Sequence, residues 1–185
     1  MVGKKNVVFG FIFLVFSAGL GPLMILNYMP AADEAGAEKQ TSVGRLQQLK
    51  LDNFEEDLEP LTPEQIAKAN TDGILALNKL VNARQPIDLI KNPHAHGNLE
   101  ALLNIAVGIA LCFIAVAPMF KQVISWVFIL GTILHSGVMY LAIVFEQGWA
   151  FAILASGIGP ALVLIGLLLA GIAAFMGMRG EVVKD

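Results

Sequence analysis

The chain has 185 residues, a formal net charge of −3, one cysteine and three histidines. Its hydrophobic fraction is 56% and its charged fraction 15%, against about 25% charge in soluble domains, and its mean hydropathy is +0.69. These totals favour a membrane protein. The absence of a basic stripe sets nucleic acid aside. The lone thiol, Cys112, excludes an internal disulfide, a c-type haem link and a thiolate iron–sulfur cluster.

The first apolar run, Val7 to about Leu26, follows Lys4 and Lys5. It is long enough to cross about 30 Å of hydrocarbon, longer than the apolar core of a secretory signal. An uncleaved anchor over residues 1–29 is expected, although Met29-Pro30-Ala31 before acidic residues offers a cleavage site. Residues 30–95 then form a polar insertion. The stretch from Pro30 to Pro93 holds eleven of the fifteen acidic and seven of the twelve basic residues. Ala31–Thr41 reads as mobile and Val43 to about Phe54 as a helix. A better helix starts at Thr62, where Thr62-Pro63-Glu64-Gln65 is a capping box with Pro at the first helical position. Ile66, Ile74, Leu77, Leu80 and Val81 give it a partial apolar stripe, and Gln85-Pro86 is expected to end it.

Three more apolar runs follow within residues 96–178: Leu99–Pro118, Val123–Phe145 and Trp149 to about Met178. The links Met119–Gln122 and Glu146–Gly148 are short enough to force antiparallel neighbours. Gly159-Pro160 predicts a kink in the last run. The fold class expected is therefore all-α, an integral membrane four-helix bundle with a partly helical insertion between helices 1 and 2. Lys4, Lys5, Lys121, Arg179 and Lys184 share one side if both termini are cytoplasmic. This places the protein in the inner or plasma membrane, residues 30–95 outside and 179–185 as a cytoplasmic tail.

Polar groups inside such helices are costly and therefore informative. His96, Glu100 and Asn104, spaced four apart, share one face of the second run. Thr132, Ser136 and Tyr140, with His135 beside them, form a polar face on the third, and Ser156 lies on the fourth. Matching heights in the outer half predict one shared pocket, with an apolar inner half. Imidazole suits haem iron, copper and zinc. His96 and Glu100 are the candidate cofactor-holding groups, His96 with His94 the candidate metal ligands, and Asn104, His135 and Tyr140 the candidate catalytic groups. Each has a bland alternative as a helix-to-helix hydrogen bond or an interfacial residue. The whole chain has one too: an accessory subunit of a larger, respiratory-type membrane complex with no cofactor of its own.

Ala95-His96-Gly97, then Leu102-Leu103-Asn104 and a long apolar run, resembles the second helix of styrene oxide isomerases, and Leu130-Gly131-Thr132 with His135 follows the pattern of the third. The resemblance covers residues 95–175. It implies four helices with both termini on one side, and haem b held by His96 between subunits of a homotrimer. It also implies an isomerase in which ferric haem is the Lewis acid on a small apolar epoxide and Asn104 orients the substrate. The chain departs from that family in a much larger outer domain and in three positions of the helices. The histidine-to-asparagine spacing is eight rather than six, His135 stands where the family has an aspartate, and Tyr140 comes three residues early.

Overall fold

The computed structural model describes residues 1–183, so Lys184 lies outside the described residues. Within them the order is α1 (Lys4–Asn27), α2 (Met29–Leu51), a two-stranded hairpin of β1 (Glu55–Glu56) and β2 (Glu59–Pro60), α3 (Pro63–Leu111), α4 (Pro118–Thr132), α5 (Gly148–Ala155) and α6 (Ile158–Gly177). Two π-helical turns, Ile133–Gly137 and Tyr140–Val144, carry α4 onward. Three helical stretches are long and apolar enough to cross a membrane: Lys4–Asn27, Pro118–Val144 and Ile158–Gly177. Of the second run, Leu99–Leu111 is instead the distal end of the 49-residue α3, and the connection to α4 is Cys112–Ala117 and not the expected Met119–Gln122, which lies within α4.

That helix corrects the expectation of a stop at Pro86, for it continues through Pro86 and Pro93 to Leu111. A helix-interior proline costs about 3 kcal/mol. Packing on either side opposes that cost, with Ala76, Ile90 and Pro93 buried. Ala31–Thr41 also differs from expectation: it is helical, as part of α2. Its Ala, Glu, Lys and Gln residues are strong helix formers, and Ala32 and Ala35 are buried. Pro30 sits in the first turn of α2, and the helix stops at Leu51 rather than Phe54. The last run breaks at Gly157 (φ 68°), not at Gly159-Pro160, which falls in the first turn of α6. A left-handed φ suits glycine, and proline is tolerated where no intrahelical partner is lost.

The chain divides into two compact units, one of Pro22–Leu89 and one of Met1–Gly21 with the chain from Ile90 onward. In the first, α2 and the start of α3 pair antiparallel. Among the less exposed positions are Ala32, Ala35, Lys39, Ser42, Leu46 and Leu49 on α2, and Ile66, Ala69, Gly73, Ala76 and Leu80 on α3. Both sets step by three and four residues, the spacing of a coiled-coil seam. The expected stripe is corrected in part: Ile66 and Leu80 lie in the seam, but Ile74, Leu77 and Val81 are exposed, and Ala69, Gly73 and Ala76 take their place. The capping box forms as read: Thr62 N donates to Gln65 Oε1 at 2.8 Å, and Gln65 N to Thr62 Oγ1 at 3.2 Å. Asp57 and Leu58, both at positive φ, make the two-residue hairpin turn.

The other unit has two apolar clusters. Val107 and Leu111 of α3 pack with Ile114, with Ile124 and Phe128 of α4, and with Val163 and Ala173 of α6. Val138, Ala142 and Ala150 form the second cluster. The connection Cys112–Ala117 is closed by the chain after α6: Ala115 N donates to Gly177 O at 2.7 Å, Arg179 N to Phe113 O at 2.8 Å and Val183 N to Cys112 O at 2.8 Å.

Candidate functional site

His96, Glu100 and Asn104 lie on successive turns of α3, and the face they share is met by the π-helical continuation of α4. Glu100 is buried, with 4% of its side chain exposed. Ser136 Oγ donates to Glu100 Oε2 at 2.7 Å. His135 Nδ1 lies 2.5 Å from Glu100 Oε1. With the imidazole as donor in that contact, Nε2 keeps its lone pair, the arrangement in which a carboxylate orients a ligating histidine. The His96 ring stands edge-on to His135, centroids 4.9 Å apart and planes at 63°. One donor atom from each of His96, Glu100 and His135 lies within 4.8 Å of the other two. His96 is exposed, His135 partly buried and Glu100 buried, so the cluster has one open side.

Consecutive residues His135 and Ser136 reach the same carboxylate because they stand on a π-helical turn, Ile133–Gly137. Such turns interrupt α-helices mostly at functional positions. The neighbouring backbone is close as well: a Cβ at Gly159 would lie 2.5 Å from His135 N and 2.6 Å from Leu134 C. Only glycine lets α6 approach there.

Asn104 is fully buried and committed to its neighbours. Its Nδ2 donates to Thr132 Oγ1 at 2.8 Å and to Glu100 O at 3.0 Å, and its Oδ1 accepts from Asn6 Nδ2 at 3.0 Å. Asn6 Nδ2 also donates to Ser125 O at 3.1 Å, and Ser125 Oγ donates back to Asn6 Oδ1. A ladder of side chains thus joins α1, α3 and α4 directly beneath Glu100. Asn6 and Ser125 were not expected here, and with buried Lys121 they correct the reading of an apolar inner half. The signal was present in Asn6, an amide at the mouth of an apolar run.

His94 points elsewhere. Its Nδ1 donates to Ser17 O of α1 at 2.8 Å and its Nε2 faces Asn98 Nδ2 at 3.4 Å, so it stands outside the three-residue cluster. Tyr140 packs edge-on against Phe13 with centroids 5.9 Å apart. Its hydroxyl is buried beside Ser17 and Gly97 with no hydrogen bond of good geometry. Ser156 is exposed and donates to Ile153 O at 2.6 Å, away from the cluster.

No family model matches the chain, and no curated protein or solved structure matches it.

Proposed function

We propose that this is a membrane protein holding a first-row transition metal at His96, Glu100 and His135. The spacing of the two imidazoles carries the reading. A metal about 2.0–2.1 Å from each ligating nitrogen lies about 3.2 Å from each ring centre. Two imidazoles on opposite sides of it would then stand about 6.4 Å apart, and two at a tetrahedral angle about 5.2 Å. The observed 4.9 Å fits adjacent ligand positions. A haem plane leaves only opposite positions for a second imidazole, so the pair suits zinc, copper, nickel or cobalt better than bis-histidine haem. Glu100 supplies an oxygen or, held by Ser136, orients His135. The exposed flank at His96 leaves room for a water or substrate, as open metal sites do. A bound ion there supplies Lewis acidity.

The distal half of α3 is read as the fourth crossing element. Val107 and Leu111 share a core with residues of two of the spanning stretches. With four crossings both termini lie on the cytoplasmic side, as the basic residues Lys4, Lys5, Lys121 and Arg179 favour. Residues 30–95 and the His96 end of α3 then face the opposite side.

Elemental analysis of the full-length protein in mild detergent tests the site. About one transition-metal ion per chain is expected, and His96→Ala, Glu100→Gln and His135→Ala should each weaken affinity at least tenfold. Acidification should weaken it too, because imidazole ligates as the neutral ring. A Soret band lost in His96→Ala would assign haem b to exposed His96 alone and revive the epoxide isomerase reading. Neither metal nor haem would leave a hydrogen-bonded helix clamp, in keeping with an accessory subunit.

A further inference from the structure

At the other end of the same unit, the first turns of α1 and α4 flank an open groove of about 610 Å³. Lys4, Lys5 and Gln122 form its polar end, and Val8, Phe9 and Trp126 continue it as an apolar wall. Among the described residues, no acidic side chain lines it. Lys5 Nζ lies 4.3 Å from the centre of the Trp126 ring and donates to Gln122 Oε1. This ammonium is thereby fixed at the groove mouth by a cation–π contact and a hydrogen bond.

Both helices begin at this end, so their positive dipole ends add to the two lysines. Phe9 lies four residues beyond Lys5, and Trp126 four beyond Gln122, which carries the apolar wall about 6 Å deeper. α1 and α4 both belong to stretches long and apolar enough to span a bilayer. The groove therefore meets the membrane where hydrocarbon gives way to headgroups. An indole beside lysine is the residue pairing that such an interface favours.

We propose that this groove is a binding site for an anionic phospholipid, its phosphate against Lys4 and Lys5 and an acyl chain along Val8, Phe9 and Trp126. Cationic end and apolar wall match the two halves of that molecule, and none of the described lining residues is a carboxylate that would repel the phosphate. A zwitterionic lipid brings its own cation to the same lysines and is disfavoured. The groove shares no residue with the His96 site, so the two readings stand or fall separately.

The protein has two tryptophans, and Trp149→Phe leaves Trp126 as the only indole. The full chain is reconstituted in vesicles of phosphatidylcholine containing brominated phosphatidylglycerol, or brominated phosphatidylcholine at the same fraction. Stronger quenching of Trp126 by the brominated anionic lipid is expected. Lys4→Gln with Lys5→Gln should lower its relative binding constant about twenty-five-fold, from roughly fivefold per lysine at a charged surface. Val8→Phe, which keeps both lysines and fills the wall, should also lower it. Equal quenching by the two lipids, or a preference that survives the lysine changes, overturns the proposal. If the lysine variant does not accumulate, Val8→Phe decides: an unchanged preference overturns the site, and a reduced one supports it. Quenching by neither lipid in a chain that runs as a dimer assigns the groove to a second copy and likewise overturns it.

Discussion

At the residue scale, the cluster rests on a few polar side chains whose alternative partner is hydrocarbon. Interhelical hydrogen bonds in membranes contribute about 0.6 kcal/mol on average and at most about 1.7. Asn6→Leu removes bonds to both Asn104 and Ser125. A loss of about 1–2 kcal/mol is therefore expected, measured by unfolding in mixed detergent. Asn104→Leu should cost more, since it leaves Thr132 and the Glu100 carbonyl without this donor, and should also lower metal content. Gly159→Ala presses a methyl group into the backbone of Leu134 and His135. About 1–3 kcal/mol of overpacking is expected, with weaker metal binding because His135 is displaced; unchanged stability and metal content would refute the close packing. Helical spacing made His96, Glu100 and Asn104 legible as one face, and His135 with Ser136 as its counterpart. The same spacing sets His94, two residues from His96, off that face, but does not give its partner, a backbone carbonyl of α1. Asn6 was missed because a run read as a plain anchor offers no reason to look for a hydrogen-bond partner 98 positions away.

At the element scale, local signals held where they are self-contained. The Thr62–Gln65 capping box needs only four consecutive residues, and it forms as read. The stop signal at Pro86 failed, because its cost is local while the packing around α3 comes from other segments. The α2–α3 seam shows the same limit. Leucine and isoleucine suggested a stripe of which only Ile66 and Leu80 join the seam; close approach of two helices favours small residues between them, with Ala76 only 1% exposed. Ala76→Leu is expected to destabilise the Pro22–Leu89 unit by about 1–3 kcal/mol while leaving metal content unchanged, as thermal unfolding beside elemental analysis would record. Lys79 bridges Glu34 at 3.5 Å and Glu38 at 2.5 Å across this pair of helices. The Glu38 hydrogen bond and charge raise its ammonium above the ordinary lysine range. A raised lysine pKa contributes stability that is complete below the ordinary value of 10.5 and lost as pH rises through the elevated one. Glu38→Gln should leave the melting temperature unchanged within error at neutral pH, since the pair is exposed and water screens it; a clear drop would show the bridge to be worth more.

At the scale of the whole molecule, α3 sets the number of times the chain crosses the bilayer. With α3 as a crossing element the count is four, and the termini share a side. Single cysteines in a Cys112→Ser background test this. Gln47→Cys on the exposed side of α2 should react with an impermeant thiol reagent from outside intact cells, and Glu181→Cys only after permeabilisation. Labelling of both from one side would mean that α3 does not cross. Composition and run length by themselves determined that the chain is helical and that long apolar stretches suited to a membrane are present, because those properties add up along the chain without reference to partners. They also determined which polar residues share a helix face, since the α-helical period is set by backbone geometry. Only the tertiary structure decided which faces meet. The π-helical turn that brings His135 and Ser136 to one carboxylate, the continuity of α3 through two prolines and the ladder from Asn6 to Glu100 all depend on contacts between segments far apart in the chain, whose energies no local pattern records.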